Sequence, residues 1–126
     1  MPYPKEYRYS KEHEWVSLDG SRAKVGITDH AQSELGDVVF VELPAVGTQV
    51  KKGETLGTVE SVKAVSDIYA PLTGKVVEAN DALEAAPETV NNDPHGEGWL
   101  VVLEVSDRSE VETLLDADGY QKLISS

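Results

Sequence analysis

Gly57-Thr58-Val59-Glu60-Ser61-Val62-Lys63-Ala64-Val65-Ser66-Asp67-Ile68-Tyr69-Ala70-Pro71 sets one lysine between two strand-like runs. On the first side Thr55, Leu56, Thr58 and Val59 are β-branched or apolar residues that suit a pleated, half-buried surface. Val65, Ile68, Tyr69, Val76 and Val77 repeat that composition on the second side, so a hairpin is expected over about residues 55–77. Its tip falls at Lys63. A side chain there stands in water with few neighbours, where a modifying enzyme reaches it without unfolding the domain. Set against this is the plainer reading of a solvated turn lysine, common on protein surfaces.

Working outward, Glu14-Trp15-Val16-Ser17-Leu18 and Arg22-Ala23-Lys24-Val25-Gly26-Ile27 flank an Asp-Gly pair, the sequence of a tight β-hairpin. Residues 28–35 space Ala31 and Leu35 by four, with Thr28 as an N-cap and Gly36 as a stop, which predicts a short helix. Val38-Val39-Phe40-Val41 is an apolar strand halted by Pro44, and turns around a short strand occupy residues 47–54. Another strand is expected at 74–80, a helical turn and loop at 81–92, and a returning strand at 99–105. Gly96 and Gly98 let the backbone bend ahead of Trp99, a large aromatic expected in the core. Ser109-Glu110-Val111-Glu112 has the spacing of a capping box, so a C-terminal helical segment is predicted over about 109–124, with a helix carrying Val111, Leu114 and Leu115 and a final helical stretch including Tyr120, Leu123 and Ile124. Many short strands punctuated by Gly and Pro argue a mainly β sandwich or flattened barrel with short peripheral helices. A faint internal repeat relates residues 46–54 to residues 80–88.

The length, 126 residues, fits one domain spanning 1–126 that folds without disulfides or metals. No apolar run approaches the roughly 18 residues of a membrane span. The start Met1-Pro2-Tyr3-Pro4-Lys5-Glu6-Tyr7 lacks the composition of a signal or transit peptide, and a cytoplasmic, bacterial-type location is expected. A net charge of −12 repels nucleic acid and anionic lipid, and either steers the chain to basic surfaces or maintains its solubility. The absence of cysteine leaves no protein thiol to exchange with a dithiol cofactor, and equally suits many small proteins.

Catalytic signals are absent. His13, His30 and His95 are scattered and show no metal-ligand spacing, so no metal site is expected. Gly96-Glu97-Gly98 lacks the third glycine of a phosphate-binding turn. A Schiff-base role for Lys63 would need burial or a neighbouring cation, whereas its charged neighbours in sequence are Glu60 and Asp67.

Glu60-Ser61-Val62-Lys63-Ala64, with Ser66-Asp67-Ile68-Tyr69-Ala70-Pro71 and Gly74-Lys75-Val76, resembles the lipoyl-lysine hairpin of the glycine cleavage system H proteins. Three further blocks match that family in order: Gly26-Ile27-Thr28-Asp29-His30-Ala31-Gln32, Leu35-Gly36-Asp37-Val38-Val39-Phe40-Val41-Glu42-Leu43-Pro44 and Asn92-Asp93-Pro94-His95-Gly96-Glu97-Gly98-Trp99. The resemblance runs from about Tyr9 to Tyr120. It implies a barrel-sandwich hybrid of two pseudo-symmetric halves and lipoate joined to Lys63 by an amide, which removes the lysine charge. It also implies a non-catalytic shuttle. The aminomethyl intermediate would pass from a pyridoxal-phosphate glycine decarboxylase to an aminomethyltransferase, and dihydrolipoamide dehydrogenase would then reoxidise the arm; a lipoate-attaching enzyme is a further partner. The loaded arm is expected to fold into a groove, with Glu14 of the His13-Glu14-Trp15 block able to hydrogen-bond the amine. Glu34, where some relatives carry histidine, is a possible second contact. Three alternatives stand beside this. Biotinyl domains bracket their lysine with methionines, unlike Val62 and Ala64. The lipoyl domains of 2-oxoacid dehydrogenase complexes place Asp where this chain has Val62 and hang on long linkers. An unmodified interaction module of the same fold would not need Lys63.

Overall fold

The computed structural model describes residues 3–125. Its elements follow the order β1 (Arg8–Tyr9), β2 (Glu14–Asp19), β3 (Arg22–Ile27), α1 (Asp29–Leu35), β4 (Val38–Glu42), β5 (Gln49–Val50), β6 (Thr55–Ser61), β7 (Val65–Tyr69), β8 (Gly74–Ala79), α2 (Ala82–Ala85), α3 (Thr89–Asn92), β9 (Val101–Val105), a 3-10 turn (Arg108–Thr113) and α4 (Ala117–Ser125). Two sheets result, one of six strands in the order β1-β2-β3-β9-β8-β5 and one of three in the order β4-β6-β7. The architecture is therefore mainly β, as anticipated from the strand pattern, and is the barrel-sandwich that the family resemblance implies, with short helices at its periphery and one at the C-terminus.

Period-two alternation places the core. In β3 the buried Ala23, Val25 and Ile27 alternate with exposed Arg22 and Lys24, and β6 turns Val59 and Ser61 inward in the same way, with buried Leu56 set out of that phase by the register shift between Thr55 and Gly57. Val16, Val25, Val41, Val59, Ile68, Leu72, Val76 and Leu103 belong to one apolar cluster. A second cluster is aromatic: Tyr9, Trp15 and Tyr120 are fully buried, and Tyr3, Tyr7 and Trp99 pack on them. Trp99, expected in the core, is only partly buried, with the Lys24 ammonium 5.3 Å from its ring centroid; Trp15 is the tryptophan that the fold encloses.

Local signals give the β2–β3 hairpin and α1 as read, with Thr28 capping α1 by accepting from the Ala31 N–H. Two expectations change. The hairpin does not continue to Val77: β7 ends at Tyr69, and β8 pairs with β9 and β5 in the other sheet. Pro71 has no N–H for a ladder, and buried Ala70 and Leu72 carry the chain through the core between the sheets. In the C-terminal segment the final helical stretch stands as α4, but the first is a 3-10 turn in which Leu114 and Leu115 take no part. Asp107, rather than Ser109, caps a 3-10 turn, while the Glu110 carboxylate accepts from the Thr73 N–H and hydroxyl at 2.7 and 2.8 Å. Leu115 then pairs with Tyr9, each N–H donating to the other's carbonyl at 2.8 and 2.7 Å, which forces an extended break before α4.

Gly26 faces Trp15 across the β2–β3 ladder, and a Cβ at Gly26 would fall 2.6 Å from the indole carbons. The indole is fixed by its Nε1 donating to the Pro94 carbonyl at 2.8 Å. Gly26→Ala is therefore expected to lose about 1–3 kcal/mol by overpacking, measured as a lower urea midpoint with an unchanged slope.

Candidate functional site

Ser61 shapes the tip of the β6–β7 hairpin. Its N–H donates to the Ala64 carbonyl at 2.7 Å, and its buried Oγ accepts from the N–H groups of Lys63 and Ala64 at 3.3 and 3.1 Å. The side chain supplies the acceptor that a backbone carbonyl provides in an ordinary turn, so residues 62 and 63 project without positive φ. The Val62 N–H donates to the Asp37 carbonyl at 3.0 Å, tying the tip to the α1–β4 connection. Lys63 is exposed, and its aliphatic stem lies over Gly36, where a Cβ would stand 3.4 Å from Lys63 Cε. Gly36 has φ 81°, so it answers the left-handed backbone, while the lysine stem passes it at ordinary contact distance.

Beside this tip a cleft of about 260 Å³ runs between α1, β7 and the β1–β2 turn. Ile27, Ala31, Leu35 and Ile68 give it apolar walls, and the carboxylates of Glu12, Glu34 and Asp67 border it. An apolar slot with an acidic border suits a thin aliphatic chain that ends in a cation. A second depression of similar volume, lined in part by Tyr9, Lys11, Lys52 and Leu115, shares only Glu12 with it and includes no residue of β6 or β7.

Glu34 lies at the cleft on α1, largely exposed, with Oε1 3.3 Å from His30 Nε2. Glu14 does not line it. Its carboxyl is 1% exposed, accepts from the Ser10 hydroxyl at 2.5 Å and from the Tyr69 N–H at 3.4 Å, and sits next in sequence to the cleft residue His13. Burial pushes its pKa up from 4.5 to about 7, against the partial offset of the Ser10 and Tyr69 hydrogen bonds.

The histidines are less scattered than their numbering suggests. The rings of His13 and His30 lie 4.9 Å apart, and His13 Nδ1 is 2.7 Å from the Tyr120 hydroxyl. Burial pushes the His13 pKa down, with the neighbouring His30 acting in the same direction. His95 is buried elsewhere, its Nε2 accepting from the Asp29 N–H at 3.0 Å. Among the described residues no group of three His, Cys, Asp or Glu is placed to hold a metal. Sequence reasoning passed over Ser61, Asp67 and the His13–Tyr120 contact. Ser61 had a turn signal in its residue type; the other two become visible only when distant segments meet.

Residues 7–126 match the family model described as Glycine cleavage H-protein. Glycine cleavage system H proteins of Brevibacillus brevis and Bacillus licheniformis are 55% and 56% identical over 124 residues, covering 98% of this chain and 98% of each relative. That of Thermotoga maritima is 57% identical over 115 residues, 91% of this chain and 93% of the relative. A crystal structure of a glycine cleavage system H protein from Mycobacterium marinum aligns with a TM-score of 0.90 at 40% identity, covering 98% of this chain and 100% of that one.

The buried Glu14 sets a pH dependence. Below pH 4.5 both folded and unfolded chains are protonated at this residue; between 4.5 and about 7 the unfolded chain releases the proton and the folded one keeps it. Glu14 therefore subtracts stability as pH rises through that window, by up to about 3 kcal/mol. Glu14→Gln removes the ionisation. Its unfolding free energy relative to wild type should rise between pH 4 and pH 8, read from paired denaturant titrations that cancel the other carboxylates.

Proposed function

The chain belongs to the glycine cleavage H-protein family, a family of carrier proteins, and from that premise we propose that it is a lipoyl-bearing shuttle. Lys63 carries the lipoyl group as an amide. The aminomethyl cargo moves from the pyridoxal-phosphate glycine decarboxylase to the aminomethyltransferase, and dihydrolipoamide dehydrogenase then restores the arm. The observation that supports this most is the pairing of an exposed, rigidly presented Lys63 with an adjacent cleft of apolar walls and acidic border.

The residues fit that group. The exposed amine is open to a lipoate-attaching enzyme, the stem lies along Gly36 at contact distance, and the apolar walls match an aliphatic arm. When bound, lipoate supplies a disulfide that can be opened to accept a group on sulfur and closed again by oxidation. The chain's own residues bind and shelter. Ile27, Ala31, Leu35 and Ile68 exclude water from the arm, while Glu34 and Asp67 attract a cationic end. Glu14 is buried behind the cleft residue His13 and lines no wall of the cleft, so its hydrogen bond to the cargo amine requires His13 to move aside and one of the Ser10 or Tyr69 bonds to be exchanged. Tethering raises the effective concentration of the cargo at each enzyme in turn, without catalysis by the carrier. We place this work in the bacterial cytoplasm. Among the described residues no helix is long and apolar enough to cross a membrane.

The deciding measurement is the intact mass, with peptide mapping, of protein from lipoate-supplied cells. A lipoyl increment at Lys63 that disappears in Lys63→Ala is expected. An unmodified Lys63, in cells whose ligases modify a control carrier, would turn the reading toward an interaction module; loading by a 2-oxoacid rather than glycine would turn it toward a dehydrogenase-complex domain.

The Glu14 assignment has its own test. Loaded Glu14→Ala protein should release its cargo roughly ten- to a hundredfold faster than wild type, the range for one charge-assisted hydrogen bond. Release at the wild-type rate would remove Glu14 from the scheme.

A further inference from the structure

The hydroxyl of Tyr120, on the C-terminal helix and fully buried, is where both walls of the cleft are tied to the body of the protein. It lies 2.7 Å from His13 Nδ1 and 2.7 Å from Thr28 Oγ1. Thr28 caps α1 by accepting from the Ala31 N–H at 3.2 Å, and Ala31 and Leu35 form the α1 wall. Glu12 and His13 form the wall of the β1–β2 turn. With a neutral imidazole protonated at Nε2 the chain of donors runs from the Thr28 hydroxyl to the Tyr120 oxygen and from the Tyr120 hydroxyl to His13 Nδ1. A proton on Nδ1 reverses that chain, with Nδ1 donating to the Tyr120 oxygen and the Tyr120 hydroxyl to Thr28 Oγ1.

His13 is also the one non-glycine residue with positive φ among those described, at 74°. An L side chain is disfavoured there and persists where its surroundings over-determine the backbone. Here the His13 N–H donates to the Ser10 carbonyl at 3.1 Å, and its carbonyl accepts from the Thr28 N–H at 3.0 Å. The ring is held by Tyr120 on one side and lies against His30 on the other. Strain thus sits at the cleft wall rather than in a remote loop, and one phenol sets the spacing between that wall and α1.

We propose that Tyr120 and His13 are positioning residues for the sheltered arm, with the C-terminal helix acting through them to fix the width of the cleft. This rests on the reading of the cleft as the arm's resting place.

The test uses the lipoylated full chain loaded with its one-carbon cargo, with release of formaldehyde and ammonia followed after the loading enzymes are removed. Tyr120→Phe keeps the ring that stacks on Tyr9, centroids 5.0 Å apart, and deletes only the hydroxyl. His13→Gly accepts the φ of 74° without strain and removes the imidazole. Both variants should discharge about fivefold faster than wild type, the factor worth one ordinary hydrogen bond. The melting temperature of His13→Gly should be no lower than that of wild type, which separates positioning from a general loss of stability. In the unlipoylated chain, ¹⁵N shifts should show His13 protonated at Nε2 when neutral, and Tyr120→Phe should erase that preference. Folded variants that discharge at the wild-type rate overturn the proposal, and if Tyr120→Phe fails to fold, His13→Gly decides alone. Wild-type protein that discharges as fast as a free lipoyl-lysine peptide overturns instead the sheltering role of the cleft, and this inference with it.

Discussion

One amide side chain holds the ground on which Lys63 stands. Asn91, on the short helix α3, donates from Nδ2 to the Gly36 carbonyl and to Gln32 Oε1, both at 2.9 Å, and accepts at Oδ1 from the Val38 N–H at 2.8 Å. It thereby serves the last turn of α1 and the first residue of β4, two backbone positions that the regular ladders leave without partners. The adjacent Val90 is fully buried in the main core, so the amide is anchored by apolar packing and not by a flexible loop. From Asn91 the constraint passes to Gly36 beneath the lysine stem and to Asp37, whose carbonyl receives the Val62 N–H of the hairpin tip. The tip protrudes, but its base is fixed from the core outward.

Rigidity at the base matters because the tip itself is apolar and exposed. Val62 and Val65 are 70% and 66% accessible, and Phe40, in register with Glu60 and through it with Val65, is half exposed on the outer face of the smaller sheet. The three strands of that sheet contain Glu42, Glu60 and Asp67 and no lysine or arginine. Under the proposed acylation, Lys63 would lose the one positive charge that the hairpin tip adds to them. The face would then be apolar with carboxylates alone around it, and the chain's overall acidic balance would act in the same direction at long range.

Legibility in the sequence followed the range of the forces involved. The Asp19-Gly20 reversal, the Thr28 cap and the Gly36 stop are decided within a few residues, and each stands in the structure where it was read. Lys63 was legible for the same reason, as a tip residue between two β-type runs. What could not be read depends on partners far along the chain. The capping-box pattern at Ser109 is overridden because Leu115 meets Tyr9, and Glu110 is drawn to Thr73 instead of back to its own helix end. The strand at Gly74 leaves the hairpin because β9 offers it a longer ladder. Glu14 reads as an ordinary carboxylate in sequence, and its burial follows only once β2 lies under β7 and the Tyr9–Trp15–Tyr120 cluster has closed beside it.

The cleft concentrates unfavourable terms that the remainder of the fold offsets. A left-handed histidine costs about 1–3 kcal/mol, and a buried carboxyl near neutral pH adds a comparable penalty. Both lie on consecutive residues, His13 and Glu14, where β1 turns into β2. The same short stretch is flanked by two stacked aromatic pairs: Trp15 stacks on Tyr7 at 4.8 Å, and Tyr9 stacks on Tyr120 at 5.0 Å. Aromatic pairs of this kind contribute roughly 0.5–1.5 kcal/mol each beyond the area they bury. Strain and compensation are thus adjacent in sequence and in space, so the aromatic cluster and the cleft form one energetic unit. The C-terminal helix belongs to that unit, because removing it would take away Tyr120 and leave the histidine conformation without its support.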